Sequence, residues 1–196
     1  MTDYFALLEQ PRAPWLDPEA LTKVFHAQTL RSHPDAQTQG ENLVEREAAF
    51  AQLNEAYQTL RDPKRRLQHL LALEGTVPAR DDAVPAEIEA LFPAMARLLQ
   101  DCDGVLWKAS AATTALGRSL LRAGILDVSG RLEKIRATIS QLHESTSQRL
   151  QTLNIAWAAG DPAVRAGLQE LYVSFSYLSR WISELDEKRM QLSNAL

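Results

Sequence analysis

Apolar residues along this chain recur at spacings of three and four rather than two, a pattern that predicts helices throughout. The first is short, from Tyr4 to about Gln10, with Pro11 and Pro14 ending it. The second opens at Asp17-Pro18-Glu19, where a capping carboxylate, a first-turn proline and an acid each suit the unpaired N–H groups of a helix start. It carries Leu21, Val24, Phe25 and Leu30 and has to stop before Pro34, whose ring disfavours helical backbone at His33. A third helix, from about Glu41 to Leu60, sets Phe50, Leu53, Ala56, Tyr57 and Leu60 on one face. Asp62-Pro63 restarts the chain into a fourth, with Leu67, Leu70, Leu71 and Leu73, and Gly75 supplies its stop.

The stretch Thr76–Pro85 has two prolines, the adjacent acids Asp81 and Asp82, and no apolar period, so it reads as a solvated domain boundary. Beyond it, Ile88, Leu91, Met95, Leu98 and Leu99 mark a helix face that continues through Leu106 toward Leu116, Leu120 and Leu121, bent or restarted at Pro93. Gly124 and an Asp127 cap are expected to separate the next helix, which carries Val128, Leu132, Ile135, Ile139 and Leu142, then Leu150, Leu153 and Trp157. Gly160-Asp161-Pro162 combines a helix stop, a cap and a first-turn proline, the mark of a tight helical hairpin. The last helix strings Val164, Leu168, Leu171, Phe175, Leu178, Ile182, Leu185 and Leu192 on one seam, broken by Arg189. Such a sustained seam favours antiparallel helices side by side. The expected fold is all-α: four N-terminal helices over 1–75, a linker at 76–86, and a bundle of about three helices over 87–196. A fragment ending near Thr76 is expected to fold by itself.

Composition narrows the function. The 196 residues are 45% hydrophobic and 23% charged, ordinary for a soluble domain or two, and the net charge of −4 argues against nucleic-acid or anionic-membrane binding. A local basic patch stays compatible with that total. The start, Met1-Thr2-Asp3-Tyr4, does not read as a secretory leader, and a cytoplasmic location is expected. The lone Cys102 excludes an intrachain disulfide, and its neighbours Asp101 and Asp103 would raise its thiol pKa, so a buried, inert cysteine is expected. No nucleophile–base pair, phosphate loop or metal-ligand spacing is present, so neither an enzyme nor a cofactor or metal site is expected.

The remaining signal is His33-Pro34-Asp35, which alone reads as a polar turn between helices. Asp3-Tyr4-Phe5 with Leu7-Leu8 precedes it, and Leu53-Asn54-Glu55-Ala56-Tyr57, Leu60, Asp62-Pro63 and Arg65-Arg66 follow. In this order and spacing the residues from about 2 to 74 resemble a J domain, the module that activates ATP hydrolysis by Hsp70-class chaperones. The resemblance implies that the hairpin of the second and third helices presents His33 and Asp35 to the chaperone. Pro34 fixes φ there and leaves little loop entropy to lose. It also implies a basic face on the second helix, for which this chain offers Lys23, Arg31 and the partly charged His26. Departures are Ala36 where the family commonly has lysine, Ser32 where it often has an aromatic residue, and eight Lys/Arg against eleven Asp/Glu over 1–75. They imply weaker steering or a dedicated chaperone with an adapted surface.

No Gly/Phe-rich linker or Cys-x-x-Cys repeat follows. The layout instead resembles the HscB-type co-chaperones of iron–sulfur cluster assembly. Leu16-Asp17, then Leu21 and Phe25, and the run from Arg65 to Gly75 carry that resemblance. It implies an Hsp70-class partner of the DnaK or HscA type and an iron–sulfur scaffold protein of the IscU type as client; from the charge, neither nucleic acid nor membrane is expected as a partner. Where that family has a Phe-Leu-Met-Glu-like stretch and an acidic helix, this chain has Ile88-Glu89-Ala90-Leu91-Phe92-Pro93-Ala94-Met95. Leu91, Phe92 and Met95 are the candidates for a client-facing patch, against the alternative that they pack inside the bundle. A specialised J protein with a different client, or a helical scaffold that activates nothing, are the competing readings.

Overall fold

The computed structural model describes residues 1–32, 43–76 and 83–196, and among these it is helical with no strand. The helices are α1 (Tyr4–Leu7), α2 (Pro18–Ser32), α3 (Leu43–Arg61), α4 (Pro63–Leu73), α5 (Ala86–Glu89), α6 (Phe92–Ala111), α7 (Ala115–Ala158) and α8 (Val164–Asn194). The chain divides into two compact units: 1–82 with 147–172, and 83–146 with 173–196.

In the first unit α2 packs on α3, and α3 also meets α1 and α4. The starts of α1, α2 and α4 are capped as the residue types dictate. Asp3 accepts from the Phe5 and Ala6 amides, Asp17 from Glu19 and Ala20, and Asp62 from Arg65. Phe5, Leu8, Leu21, Leu53, Ala56, Leu60, Leu67, Leu70 and Leu71 are buried here, as are Leu150, Leu168 and Leu171 from the end of α7 and the start of α8. α1 is shorter than its sequence suggests. Glu9 takes φ 52, and the Gln10 N–H closes back on the Phe5 carbonyl at 2.8 Å, ending the helix before either proline acts. Between α7 and α8, Gly160 has φ 75 and Asp161 accepts from the Ala163 amide, the turn that the Gly-Asp-Pro string predicts.

The second unit has a core of Met95, Leu98, Cys102, Ile125, Val128, Leu132, Ile139, Leu178, Trp181, Leu185 and Leu192. Pro93 stands in the first turn of α6, so it restarts the chain after the one-turn α5. The expected break at Gly124 and Asp127 is absent. The interruption comes earlier, where Ala112 leaves α6 in extended backbone and the Thr114 hydroxyl accepts from the Gly117 amide at 3.1 Å. α7 then runs straight through Gly124, and Asp127 caps nothing; it pairs with Arg131 one turn on, at 3.2 Å. A threonine cap with a real chain reversal outweighs one mid-helix glycine, which costs only about 1 kcal/mol relative to alanine. Arg131–Asp101, Arg136–Asp186 and Lys188–Asp103 tie the three helices of this unit together at their surface.

Candidate functional site

His33, Pro34, Asp35 and Ala36 lie outside the described residues, as do 77–82 of the expected linker. What the structure gives is the frame on either side. Pro18 starts α2 under the Asp17 cap, and Leu21 turns inward. Phe25 stacks on Tyr57 of α3 with ring centres 4.1 Å apart and planes 10° from parallel. The Tyr57 hydroxyl shares a hydrogen bond with Thr22 at 3.2 Å, and the Arg61 guanidinium sits 5.6 Å from the Tyr57 ring centre. These contacts clamp the second helix to the third along the length that leads to the triplet. Lys23 and His26 are exposed on α2, one turn apart, and Leu30 is exposed one turn beyond. Arg31 falls on the last turn of α2, and its side chain lies outside the described set.

The third-helix motif resolves into separate tasks. Leu53 and Ala56 are buried, Tyr57 makes the clamp, the Asn54 amide donates to the Phe50 carbonyl at 3.0 Å, and Glu55 pairs with Arg65 at 2.7 Å. Arg65 and Arg66, adjacent in sequence, have opposite fates. Arg66 is buried and donates to the Pro14 and Leu60 carbonyls at 2.8 and 2.6 Å, bonding the loop before α2 to the end of α3. Burial pushes its guanidinium down to about 10, against the upward pull of Asp62.

His69 was not singled out by any spacing, yet it locks α1. Its Nε2 accepts the Tyr4 amide at 3.1 Å, and its ring stacks on Tyr4 and Phe5 at 4.6 and 5.7 Å. Desolvation lowers its pKa, Asp3 opposes that, and Arg12 adds to it. Burial would raise the Asp3 carboxyl, but its hydrogen bonds from Arg12, Ala6 and Phe5 leave it lowered. The same Arg12 offers its carbonyl to the Trp157 indole N–H at 2.8 Å, while the Trp15 amide donates to Asn154 at 3.3 Å and Arg165 pairs with Glu74 at 3.3 Å.

In the second unit Met95 is 2% exposed and belongs to the core, and Leu91 and Phe92 are half-buried against it. The Phe92 ring lies edge-on to Tyr177 and Trp181 at 5.3 and 5.4 Å. Phe92, Met95 and Leu99 of α6, with Trp181, Arg180 and Glu184 of α8, line a surface groove of about 680 Å³. Cys102 is fully buried; desolvation raises its thiol pKa first, and Asp103 and Asp101 raise it further against Lys188 and Arg131. No group of His, Cys, Asp and Glu among the described residues could hold a metal ion, and no helix among them is long and apolar enough to cross a membrane.

The DnaJ domain family model matches residues 3–69, which include the clamped α2–α3 pair and the triplet between them. The matched region, about a third of the chain, is similar to a DnaJ domain. The chain is also similar to the HscB co-chaperones, in sequence over its N-terminal part and in fold over nearly its whole length. Two Vibrio cholerae proteins named co-chaperone protein HscB homolog are 41% identical over 76 residues, which is 37% of this chain and 44% of theirs. The matched stretch thus spans less than half of those relatives. Among solved structures, the chaperone HscB from Vibrio cholerae superposes with a TM-score of 0.52 at 21% identity, covering 97% of this chain and 99% of that one. The human co-chaperone protein HscB gives 0.61 at 18% identity, covering 97% and 83%. At these identities the structures share the all-α fold, an N-terminal J domain with a C-terminal helical domain.

Proposed function

We propose that this protein stimulates ATP hydrolysis by an Hsp70-class chaperone of the DnaK or HscA type and delivers a client to it. His33, Pro34 and Asp35 make the decisive contact, and Lys23, His26 and Arg31 of α2 steer the approach. The observation that carries the reading is the α2–α3 clamp through Phe25 and Tyr57, within the segment that matches the DnaJ domain. Two helices held together through Phe25 and Tyr57 cost less entropy to order on docking than two free ones would. Docking then favours the chaperone state that hydrolyses ATP, so the effect is one of differential affinity, with the chemistry done on the chaperone. In this division of labour 1–75 acts as the J domain, 76–86 as linker and 87–196 as the client-binding part.

The client of this reading is an iron–sulfur scaffold protein, held at the groove that Phe92, Met95, Leu99 and Trp181 line, with Leu91 beside it. The relatives are named co-chaperone protein HscB, which supports the co-chaperone role; the scaffold client follows from the HscB-type resemblance alone. A second reading, a different client, draws on one observation: Glu87 and Glu89 sit on the separate α5, and Pro93 starts a new helix after them, so no continuous acidic helix face leads into the groove.

The test is steady-state ATPase of the organism's Hsp70-class chaperones with this protein, with and without the scaffold protein. The expected result is stimulation by this protein alone and synergy when scaffold is added; stimulation without synergy selects the second reading. His33→Gln should abolish stimulation while the helical circular dichroism and thermal melt stay as they were, because a loop side chain contributes little to stability. A His33→Gln protein that still stimulates would remove the docking role.

A further inference from the structure

The corner between α6 and α7 differs from the rest of the molecule in both charge and polarity. From Gly104 to Leu126 there is no acidic residue, while Lys108, Arg118 and Arg122 are all present. None of these three cations has a carboxylate partner among the described residues, whereas Arg131, Arg136 and Lys188 of the same unit are each held by one. The acids that bound the stretch are both engaged, Asp103 by Lys188 and Asp127 by Arg131. The total charge of −4 conceals this local excess of three positive charges.

The same stretch exposes large apolar side chains: Trp107 at 71%, Leu116 at 72% and Leu120 at 74%, with Leu126 also exposed. Trp107 belongs to the last turns of α6, and Leu116 and Leu120 to the first turns of α7, so they gather around one chain reversal. The side of α7 that faces inward is already occupied. Leu121 and Ile125 look onto a separate cavity of about 350 Å³ with Leu106 and Ala109, which the exposed Arg118 also borders. Leu116 and Leu120 are not part of that cavity and stand out from the helix.

We infer that this corner is a peripheral membrane-docking site for a lipid surface that carries anionic headgroups. The three free cations suit phosphate or carboxylate headgroups, the indole suits the interfacial layer, and the protruding leucines can enter the acyl boundary. Leucines that project from a corner fit a fluid apolar phase, which needs no matching pocket; a folded protein partner would have to supply one. Attraction of this kind falls off within a Debye length, so it is strongest at low ionic strength. The inference stands apart from the co-chaperone reading and would locate that activity at a membrane surface.

The test is co-sedimentation of the full chain with phosphatidylcholine vesicles, with and without phosphatidylglycerol. Binding is expected only with the anionic lipid and should weaken as salt rises. Arg118→Glu with Arg122→Glu, and separately Leu116→Ser with Leu120→Ser, should each weaken it about tenfold or more. Ile155→Ser, an exposed apolar residue elsewhere on α7, should leave it unchanged, and circular dichroism checks that every variant is folded. Brominated lipid should quench tryptophan emission of the wild type, and Trp107→Phe should remove most of that quenching. Failure to bind anionic vesicles, or binding indifferent to both double substitutions, overturns the proposal. So does a result in which vesicles are ignored and the leucine substitutions instead abolish self-association in sedimentation velocity, which would make the corner an interface between copies.

Discussion

Arg66 shows how a single cation can serve as a structural bolt. Its guanidinium is buried yet donates to two carbonyls from different parts of the chain, so its charge is solvated by the backbone instead of by water. Arg66→Met keeps the apolar stem and strands both the Pro14 and Leu60 oxygens, which should cost about 2–4 kcal/mol in urea unfolding. Arg66→Lys should recover only part of that, since one ammonium does not span two acceptors as a planar fork does. His69 works through its neutral form, because Nε2 must accept the Tyr4 amide. Burial lowers its folded pKa below the ordinary 6.5, so the unfolded chain binds that proton more readily. The contribution is therefore complete above 6.5 and is lost as pH falls from there through the folded value. The melting temperature should drop across that window, and the drop should be shallower in His69→Gln, whose side chain does not titrate.

At the scale of elements, starts and stops follow local chemistry closely, and α7 is where local chemistry misleads. Gly124 reads as a stop, yet it lies inside a helix of 44 residues, and a methyl group added there, or at Gly130, would meet nothing within 4 Å. Gly124→Ala should accordingly stabilise the protein by about 0.5–1 kcal/mol in thermal or urea unfolding, because it removes backbone freedom from the unfolded chain without strain. Asp62 makes the opposite case. Its carboxylate accepts the Arg65 amide at 2.9 Å ahead of Pro63, and Asp62→Ala should cost about 1 kcal/mol. Both effects are small enough to leave the fold intact, so each can be measured as a shift in denaturation midpoint.

At the scale of the molecule, compactness does not respect chain order. The end of α7 and the start of α8 cluster with residues 1–82, and Leu150, Val164, Leu168 and Leu171 are buried there. A fragment 1–76 lacks all four, together with the Trp157 and Asn154 hydrogen bonds to the loop before α2. It should melt at a lower temperature than the same residues do in the whole chain. Trp157→Phe in the full protein, which removes one hydrogen bond and keeps the aromatic bulk, should cost about 1 kcal/mol. Calorimetry on both would separate the apolar contribution from the polar one.

The candidate site was legible in the sequence to the extent that it is local. The J-domain resemblance needed only the triplet, the aromatic pair near the start, and a helix carrying Leu53, Ala56, Tyr57 and Leu60. The pairing of Phe25 with Tyr57 was not readable, because each residue fits a helix face equally well without the other. Trp107 and Trp181 present the same difficulty: both sit in helical patterns, and one is 71% exposed while the other is 3% exposed. Neighbours supplied by other helices separate them.

What the sequence determined by itself is therefore most of the helices, the Asp17 and Asp62 caps and the tight α7–α8 turn. These depend on groups a few residues apart, where period, proline geometry and capping oxygens act directly. Tertiary structure alone decided that Arg66 and not Arg65 is buried, that His69 secures α1, and that Thr114 and not Gly124 interrupts the chain. It alone brought the α7–α8 turn to the N-terminal helices, through an indole and a carbonyl 145 residues apart. Burial depends on the neighbours a side chain acquires in three dimensions, and no local pattern encodes contacts across that separation.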